Sequence, residues 1–326
     1  MSNIILGNNS NLQFKVGSGD CSIYLGTTLL YPQTPPTPHD YSLDYLTFVA
    51  ETDGVYFLYA SDLVTNSLQY SIDSGNTWSG LSHNRATVLC NNGDKVLFKA
   101  SGLSINNEAG IGRIIPSGAA RVEGNTMSLL YGDNFSGQTT ISNSFQLRKL
   151  FSGATNLTSA ENLVLPSTTI TKQCYSQMFQ GCTSLAKAPK AIGTSATTFG
   201  GDYSCSDMFN GCTSLVTVSS GLLPMTSLYN QCYWYMFQGC TSLTNAPDLP
   251  AINLSSQCYQ GMFNGCTSLN YIKAMTTTAL GAGYTRDWVT SVPSGGTFVK
   301  NSAATWTDSF GNNAIPNGWT VTTASA

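Results

Sequence analysis

The rhythm of apolar and polar positions changes along this chain, and the changes divide it. From Leu12 the residues alternate, as in Leu12-Gln13-Phe14-Lys15-Val16 and Ile23-Tyr24-Leu25, with Gly7, Gly17, Gly19 and Gly26 between the runs. A period of two predicts short half-buried strands, so residues 1–33 read as an N-terminal β segment. Four prolines between Pro32 and Pro38 follow. They predict a stiff, extended linker over residues 34–40 and a domain boundary. Across residues 41–140 the alternation returns in Leu46-Thr47-Phe48-Val49, Val55-Tyr56-Phe57-Leu58, Leu68-Gln69-Tyr70-Ser71-Ile72 and Lys95-Val96-Leu97-Phe98-Lys99. Turn residues at Glu51–Gly54 and Asn91–Asp94 separate the runs, and short strands with such punctuation predict a β-sandwich.

A different period governs residues 141–270. The phrase MFQGCTSL begins at Met178 and Met236, MFNGCTSL at Met208 and Met262, and a worn copy, LFSGATNL, at Leu150. The phenylalanines Phe151, Phe179, Phe209, Phe237 and Phe263 are 28, 30, 28 and 26 residues apart. Such a period predicts a solenoid, whose units bury their apolar faces only by stacking on one another. In the copy around Phe237, Cys232, Met236 and Phe237 have the spacing of one helical face. A short helix of about two turns is therefore expected, ended by Gly239 in a left-handed conformation. Cys240 and Leu243 then face inward in an extended edge limited by Pro247 and Pro250. Stacked edges would form a narrow parallel sheet, the helices the opposite wall, and Phe179, Phe209, Phe237 and Phe263 a core ladder. After Leu269 the phrase is lost, and residues 271–326, with Trp288, Phe298, Trp306 and Trp319, read as a C-terminal cap.

Composition narrows the function. Charged residues make up only 10% of the 326, Lys and Arg number 14 against 17 Asp and Glu, and basic residues form no run. Phosphate-backbone binding depends on Lys and Arg, so a nucleic-acid partner is not expected. No window is apolar enough to predict a membrane span. The N-terminal residues lack a basic region followed by an apolar stretch, so no secretory signal is read and folding in a cytoplasm is expected. His39 and His83 stand apart and the carboxylates are scattered, so no nucleophile–base set emerges. The expectation is a protein that is not an enzyme and holds no cofactor.

Eight of the ten cysteines lie in the copies, as Cys174 with Cys182, Cys205 with Cys212, Cys232 with Cys240, and Cys258 with Cys266. No Cys-x-x-Cys spacing marks a zinc site, and a disulfide framework belongs to small secreted domains. They read as reduced, buried, small apolar residues in ladders. Ser71, Asp73, Gly75 and Trp78 match the pattern S-x-D-x-G-x-T-W. That pattern is similar to the Asp-box of sialidase propellers and other β proteins, where it is a structural hairpin device. It predicts that Asp73 bonds amides across a turn, Gly75 supplies a positive φ and Trp78 packs beneath.

The phrase Met-Phe-x-Gly-Cys-Thr-Ser-Leu, with Ala246 to Pro250 downstream, resembles the BspA-type leucine-rich repeats. The resemblance implies a mainly β fold with short helices: an N-terminal β anchor, a β-sandwich, a leucine-rich-repeat-like α/β solenoid and a cap. The wider arrangement, with Ile23 to Thr28 at the start and Gly296 to Asn301 and Ile315 to Val321 at the end, resembles proteins encoded by phages of gut bacteria. That implies a virion structural and adhesive protein, a head or tail fibre or decoration. Its N-terminal segment would dock on other virion proteins, its repeats would meet a host-surface glycan or protein, and homo-oligomers, trimers foremost, would be common. A bacterial cell-surface adhesin of the BspA kind is the alternative. Recognition is expected in the letters that vary between copies, chiefly Tyr229, Tyr233, Trp234 and Tyr235, because aromatic rings stack on sugars and anchor interfaces. Phe179, Cys182, Phe209, Cys212, Phe237, Cys240, Phe263 and Cys266 are expected to build the wall.

Overall fold

A computed structural model of the chain describes the backbone of residues 12–16, 21–25 and 28–31, and residues 39–61, 68–100, 112–193 and 197–324 in full. The chain forms two compact units, Met1–Asp40 and Tyr41–Ala326. In the first, β1 (Leu12–Val16), β2 (Cys21–Leu25) and β3 (Thr28–Tyr31) form an antiparallel meander. The proline stretch over 32–38 lies outside the described residues.

The second unit begins with β4 (Leu46–Ala50), β5 (Phe57–Ser61), β6 (Leu68–Ser71), β7 (Ser79–Leu81), β8 (Arg85–Ala86), β9 (Lys95–Lys99), β10 (Gly112–Pro116) and β11 (Ala120–Asn125). Strand β12 (Leu157–Val164) completes a six-stranded sheet of order β12-β11-β4-β9-β6-β7, and β10, β5 and β8 form a three-stranded sheet. The sheets pack through β4 and β5, where the rings of Phe48 and Phe57 approach to 4.9 Å. Phe98 meets Phe57 at 6.2 Å, so each inner face contributes the aromatic bulk that two-layer packing requires.

The boundary expected at residue 140 is bridged by both backbone and core. Strand β12, from the worn copy, runs parallel to β11, and Phe48 of the sandwich touches Phe151 of the copy at 5.7 Å. One hydrophobic core runs from Leu46 to Trp319. Beyond β12 the copies keep the parallel sense. Ser159 bridges to Lys187, Lys187 to Thr217 and Asn245 to Tyr271, and β13 (Thr169–Ile170) pairs with β14 (Thr198–Phe199).

The expected helix wall is absent from the copies. The chain is mainly β with few short helices, and its α-helix among the described residues, Ser128–Tyr131, lies outside the repeats. Each copy instead carries consecutive turns. The amides of Cys174, Ser176, Met178, Gln180 and Cys182 donate to carbonyls three residues back. The intervening amides of Gln173, Tyr175, Gln177, Phe179 and Gly181 donate to Asp202, Ser204, Ser206, Met208 and Asn210 of the next copy at 2.8 to 3.3 Å. An α-helix commits every amide to its own carbonyls; this backbone commits half of them to its neighbour.

That division requires a left-handed residue every fourth position: Gln173, Gln177 and Gly181, then Tyr203, Asp207 and Gly211, then Gln231, Tyr235 and Gly239. A non-glycine residue there costs roughly 1–2 kcal/mol. A net hydrogen bond contributes about 1 kcal/mol, so the five bonds to the next copy outweigh the two strained residues. A two-turn helix, marginal by itself, has no such compensation.

The ladder continues where the phrase is lost. Phe263 donates to Trp288 at 2.8 Å and Gly265 to Thr290 at 2.9 Å, while Asp287 and Ser291 take the left-handed places of Gly261 and Gly265. Strands β15 (Tyr271–Ala274), β16 (Thr297–Asn301) and β17 (Thr320–Ala324) are all parallel. The segment expected as a cap therefore extends the stack. Trp288 is fully buried, meets Phe263 at 6.0 Å and donates its indole N–H to Ala314 at 2.7 Å. Backbone bonding needs only an inward apolar residue and a tolerated left-handed position, so the letters can change while the geometry persists.

Phe209 lies mid-ladder, so Phe209→Ala is expected to destabilise the protein by about 3 to 5 kcal/mol in chemical denaturation. Gly239→Ala keeps the core filled and strains only φ, here +70°, for an expected cost of about 1 to 2 kcal/mol.

Candidate functional site

Stacking turns equivalent letters into columns. The phrase phenylalanines are buried and nearly coplanar: Phe179 and Phe209 lie 5.3 Å apart at 3°, Phe209 and Phe237 5.4 Å at 6°, and Phe237 and Phe263 5.7 Å at 9°. These spacings follow the strand separation of about 4.8 Å that backbone bonding imposes.

The phrase cysteines form a second column with its own bonding rule. Cys182 donates its thiol to the Phe151 carbonyl, Cys212 to Phe179, Cys240 to Phe209 and Cys266 to Phe237, each at 3.1 Å. The Phe179 carbonyl also accepts the amide of Cys182, so the thiol of the following copy occupies its second lone pair. Burial pushes the Cys182 and Cys266 thiols up to about 12. It raises those of Cys212 and Cys240 further, with neighbouring thiols adding to the effect.

The upstream cysteines do not share one column. Cys174, Cys232 and Cys258 occupy equivalent places, but Ser204 fills that place in the second full copy and donates to the Ile170 carbonyl at 3.2 Å. Cys205 stands one residue further on, in the column of Tyr175, Tyr233 and Tyr259. Its small side chain leaves room beside Tyr233, whose ring meets Phe199 at 5.3 Å. Among the described residues the cysteines are free and buried, and no cluster of His, Cys, Asp or Glu could hold a metal ion.

The Asp-box hairpin joins β6 to β7. Asp73 accepts from the Thr77 amide at 2.9 Å, the Thr77 hydroxyl at 2.5 Å and the Ser71 hydroxyl at 2.7 Å. Gly75 has φ +88° and donates to Ser71, and the Trp78 indole N–H donates back to the Gly75 carbonyl at 3.1 Å. Bonds from Ser71 and Thr77 hold the Asp73 carboxyl down at about 2.

Trp78 anchors a group that its motif does not reveal. The Lys99 ammonium lies 4.0 Å over its ring and pairs with Asp133 at 2.7 Å, while Tyr45 donates to Asp133 at 2.8 Å and packs edge-on against Trp78 at 5.0 Å. Burial, then the bond to Asp133, raise the Tyr45 hydroxyl to about 12. The partners span Tyr45 to Asp133, a separation no local pattern reports. The group clamps the hairpin to β9.

The four variable aromatics part company. Tyr233 is 1% exposed and stacks on Tyr259 at 6.0 Å, so its place as a ligand contact is corrected: it packs between copies. Tyr229 is 45% exposed. Trp234 and Tyr235 are half-buried and in contact, their rings 4.5 Å apart at 70°, and Tyr203 of the preceding copy meets Trp234 edge-on at 5.8 Å. Tyr203 was not singled out by the sequence, because its only signal is to precede Trp234 by one copy in an adjacent column.

Two measurements check this geometry. Native protein at pH 8 is expected to leave the repeat cysteines unalkylated by iodoacetamide, since the thiolate is the nucleophile, with full labelling on unfolding. The lowered pKa of Asp73 stabilises the fold above about pH 4, and that contribution is lost as pH falls through about 2. Wild-type and Asp73→Asn melting temperatures should therefore differ by a constant amount above pH 4 and converge towards pH 2.

No protein-family model, curated protein or solved structure matches the chain.

Proposed function

We propose that the chain is a non-enzymatic structural protein of a bacteriophage virion, a fibre or decoration of head or tail. It attaches to other virion proteins through residues 1–40 and presents the repeat body to the host surface. The body is read as a solenoid related to leucine-rich repeats, in which a ladder of turns takes the place of helices. The observation that carries this reading is the division of labour within the copies. The repeated Met, Phe, Cys and Leu of each phrase are buried, while the one letter that changes within the phrase, at Gln180, Asn210, Gln238 and Asn264, is half-buried, as are Gln177, Trp234, Tyr235 and Gln260 just upstream. A stack of this kind can change its surface without changing its core.

A further feature supports it: the N-terminal meander is a compact unit of its own, as an attachment module would be.

Mass spectrometry of virions banded in a density gradient tests the assignment. The full chain is expected in the particle band, and a chain lacking residues 1–40 is expected to stay in the soluble fraction. Absence of the full chain from particles would overturn the reading.

A further inference from the structure

We propose that Tyr203, Trp234, Tyr235 and Gln260 form a subsite for a neutral pyranose sugar on the turn wall of the stack. The inference deepens the adhesion reading above and rests on it for its biological setting. Its chemistry stands on four observations.

The first is the shape of the aromatic group. Trp234 stands at 70° to Tyr235 and at 85° to Tyr203, so three rings from two adjacent copies meet as a corner and not as a parallel stack. Trp234 and Tyr235 remain half-buried, with surface left for a ligand. The other aromatic contacts between copies, those of the phenylalanine and tyrosine columns, are spent on the core.

The second is that the corner is built into the backbone. Tyr235 takes a left-handed conformation, φ +50°, and its ring occupies the space that a Cβ on residue 261 would need. Equivalent places hold Gln177 and Asp207 in earlier copies, whereas here the following copy carries Gly261. The glycine lets the ring lie against the backbone of the next copy and fixes its position.

The third is a donor and an acceptor left without partners. Trp234 Nε1 and Gln260 Oε1 are shielded and make no hydrogen bond. They belong to consecutive copies of one column, since Tyr235 donates its amide to the Gln260 carbonyl at 2.8 Å. An unsatisfied buried polar group costs on the order of 1–3 kcal/mol, so both favour a hydroxyl. A sugar hydroxyl can accept from an indole N–H and donate to an amide oxygen at once. Because both atoms are shielded, a hydroxyl reaches them only when the half-buried indole turns outward.

The fourth concerns what the corner does not fit. A stable protein partner needs about 800 Å² on each side, with an apolar centre. Among the described residues the exposed large apolar side chains run from Leu43 to Phe310, and of them Val216 and Tyr229 alone fall within the repeat copies. Charge near the rings is of both signs. Asp207 donates its amide to the Trp234 carbonyl, and Arg286 follows Gln260 one copy on, beside Asp287 at 3.9 Å. A strongly anionic or cationic ligand gains nothing there.

Saturation-transfer NMR on the full chain, with methyl glycosides of glucose, galactose, mannose and N-acetylglucosamine as probes, tests the proposal. Transfer to ring protons of at least one probe is expected. Trp234→Ala is expected to weaken binding at least about tenfold in a protein that still melts cooperatively, somewhat below the wild type. Gln260→Ala, which leaves the rings in place, should weaken it severalfold and serves if Trp234→Ala does not fold. Failure of every probe, or transfer unchanged in both variants, overturns the sugar site. Host-cell adsorption measured alongside separates the two readings. Adsorption lost in Trp234→Ala without any sugar transfer would sink the sugar site and leave adhesion standing. Sugar transfer from a chain missing from virions would do the reverse.

Discussion

Everything in the repeat body depends on how its backbone amides are shared. Alternate amides close turns within a copy, and those between them reach the next copy. The sharing holds neighbouring copies at the separation of β-strands on the wall where a helix was expected. Packed helices need 8–10 Å between axes, so a helix wall and a strand wall advance at different rates and the stack must curve. Here the turn wall is held to the strand step as well, by the amides shared between copies.

The same step explains the conserved letters of the phrase. Rings repeated at strand separation settle into near-coplanar stacks, which is the geometry of Phe179 through Phe263. A carbonyl that accepts one amide within its copy keeps a free lone pair facing the next. The thiol of each phrase cysteine fills it, at the same 3.1 Å in each of the four full phrases. Cysteine is small, apolar enough for the core and still a donor. The glycine before it takes the left-handed place where the backbones of adjacent copies come closest, as at Gly211 and Gly239. Each letter thus answers a need set by the ladder, and none requires a metal or a disulfide.

Function on such a scaffold is confined to what the ladder leaves over. The column of Ser176, Ser206, Trp234, Gln260 and Arg286 tolerates such different letters because its backbone does the bonding: the two serines are buried against each other, and the larger side chains reach the surface. The corner at Trp234 arises where three such freedoms coincide: an aromatic in two neighbouring columns, a tyrosine in the copy before and a glycine in the copy after. The Asp-box hairpin follows a different logic, for its bonds are local and its motif could be read letter by letter, while its clamp to Lys99 and Asp133 joins residues far apart in sequence.

The sequence by itself determined what depends on short range and on repetition. Alternation marked the strands around Phe48 and Phe98, the spacing of phenylalanines showed that units recur, and the apolar letters that return in the four full phrases could be named as the buried ones. The tertiary structure decided what depends on which atoms the backbone finds as partners. Cys232, Met236 and Phe237 fit one face of a helix, but the same spacing suits a turn ladder, and only the neighbouring copy, by offering carbonyls to alternate amides, selects between them. It also decided that the stack runs on through Trp288 to β17, since hydrogen bonding there asks for no particular letters. Tyr233 went to the core and Trp234 to the wall for the same reason. Adjacent residues on a coil face different neighbours, and the sequence lists them side by side without saying which copy each will meet.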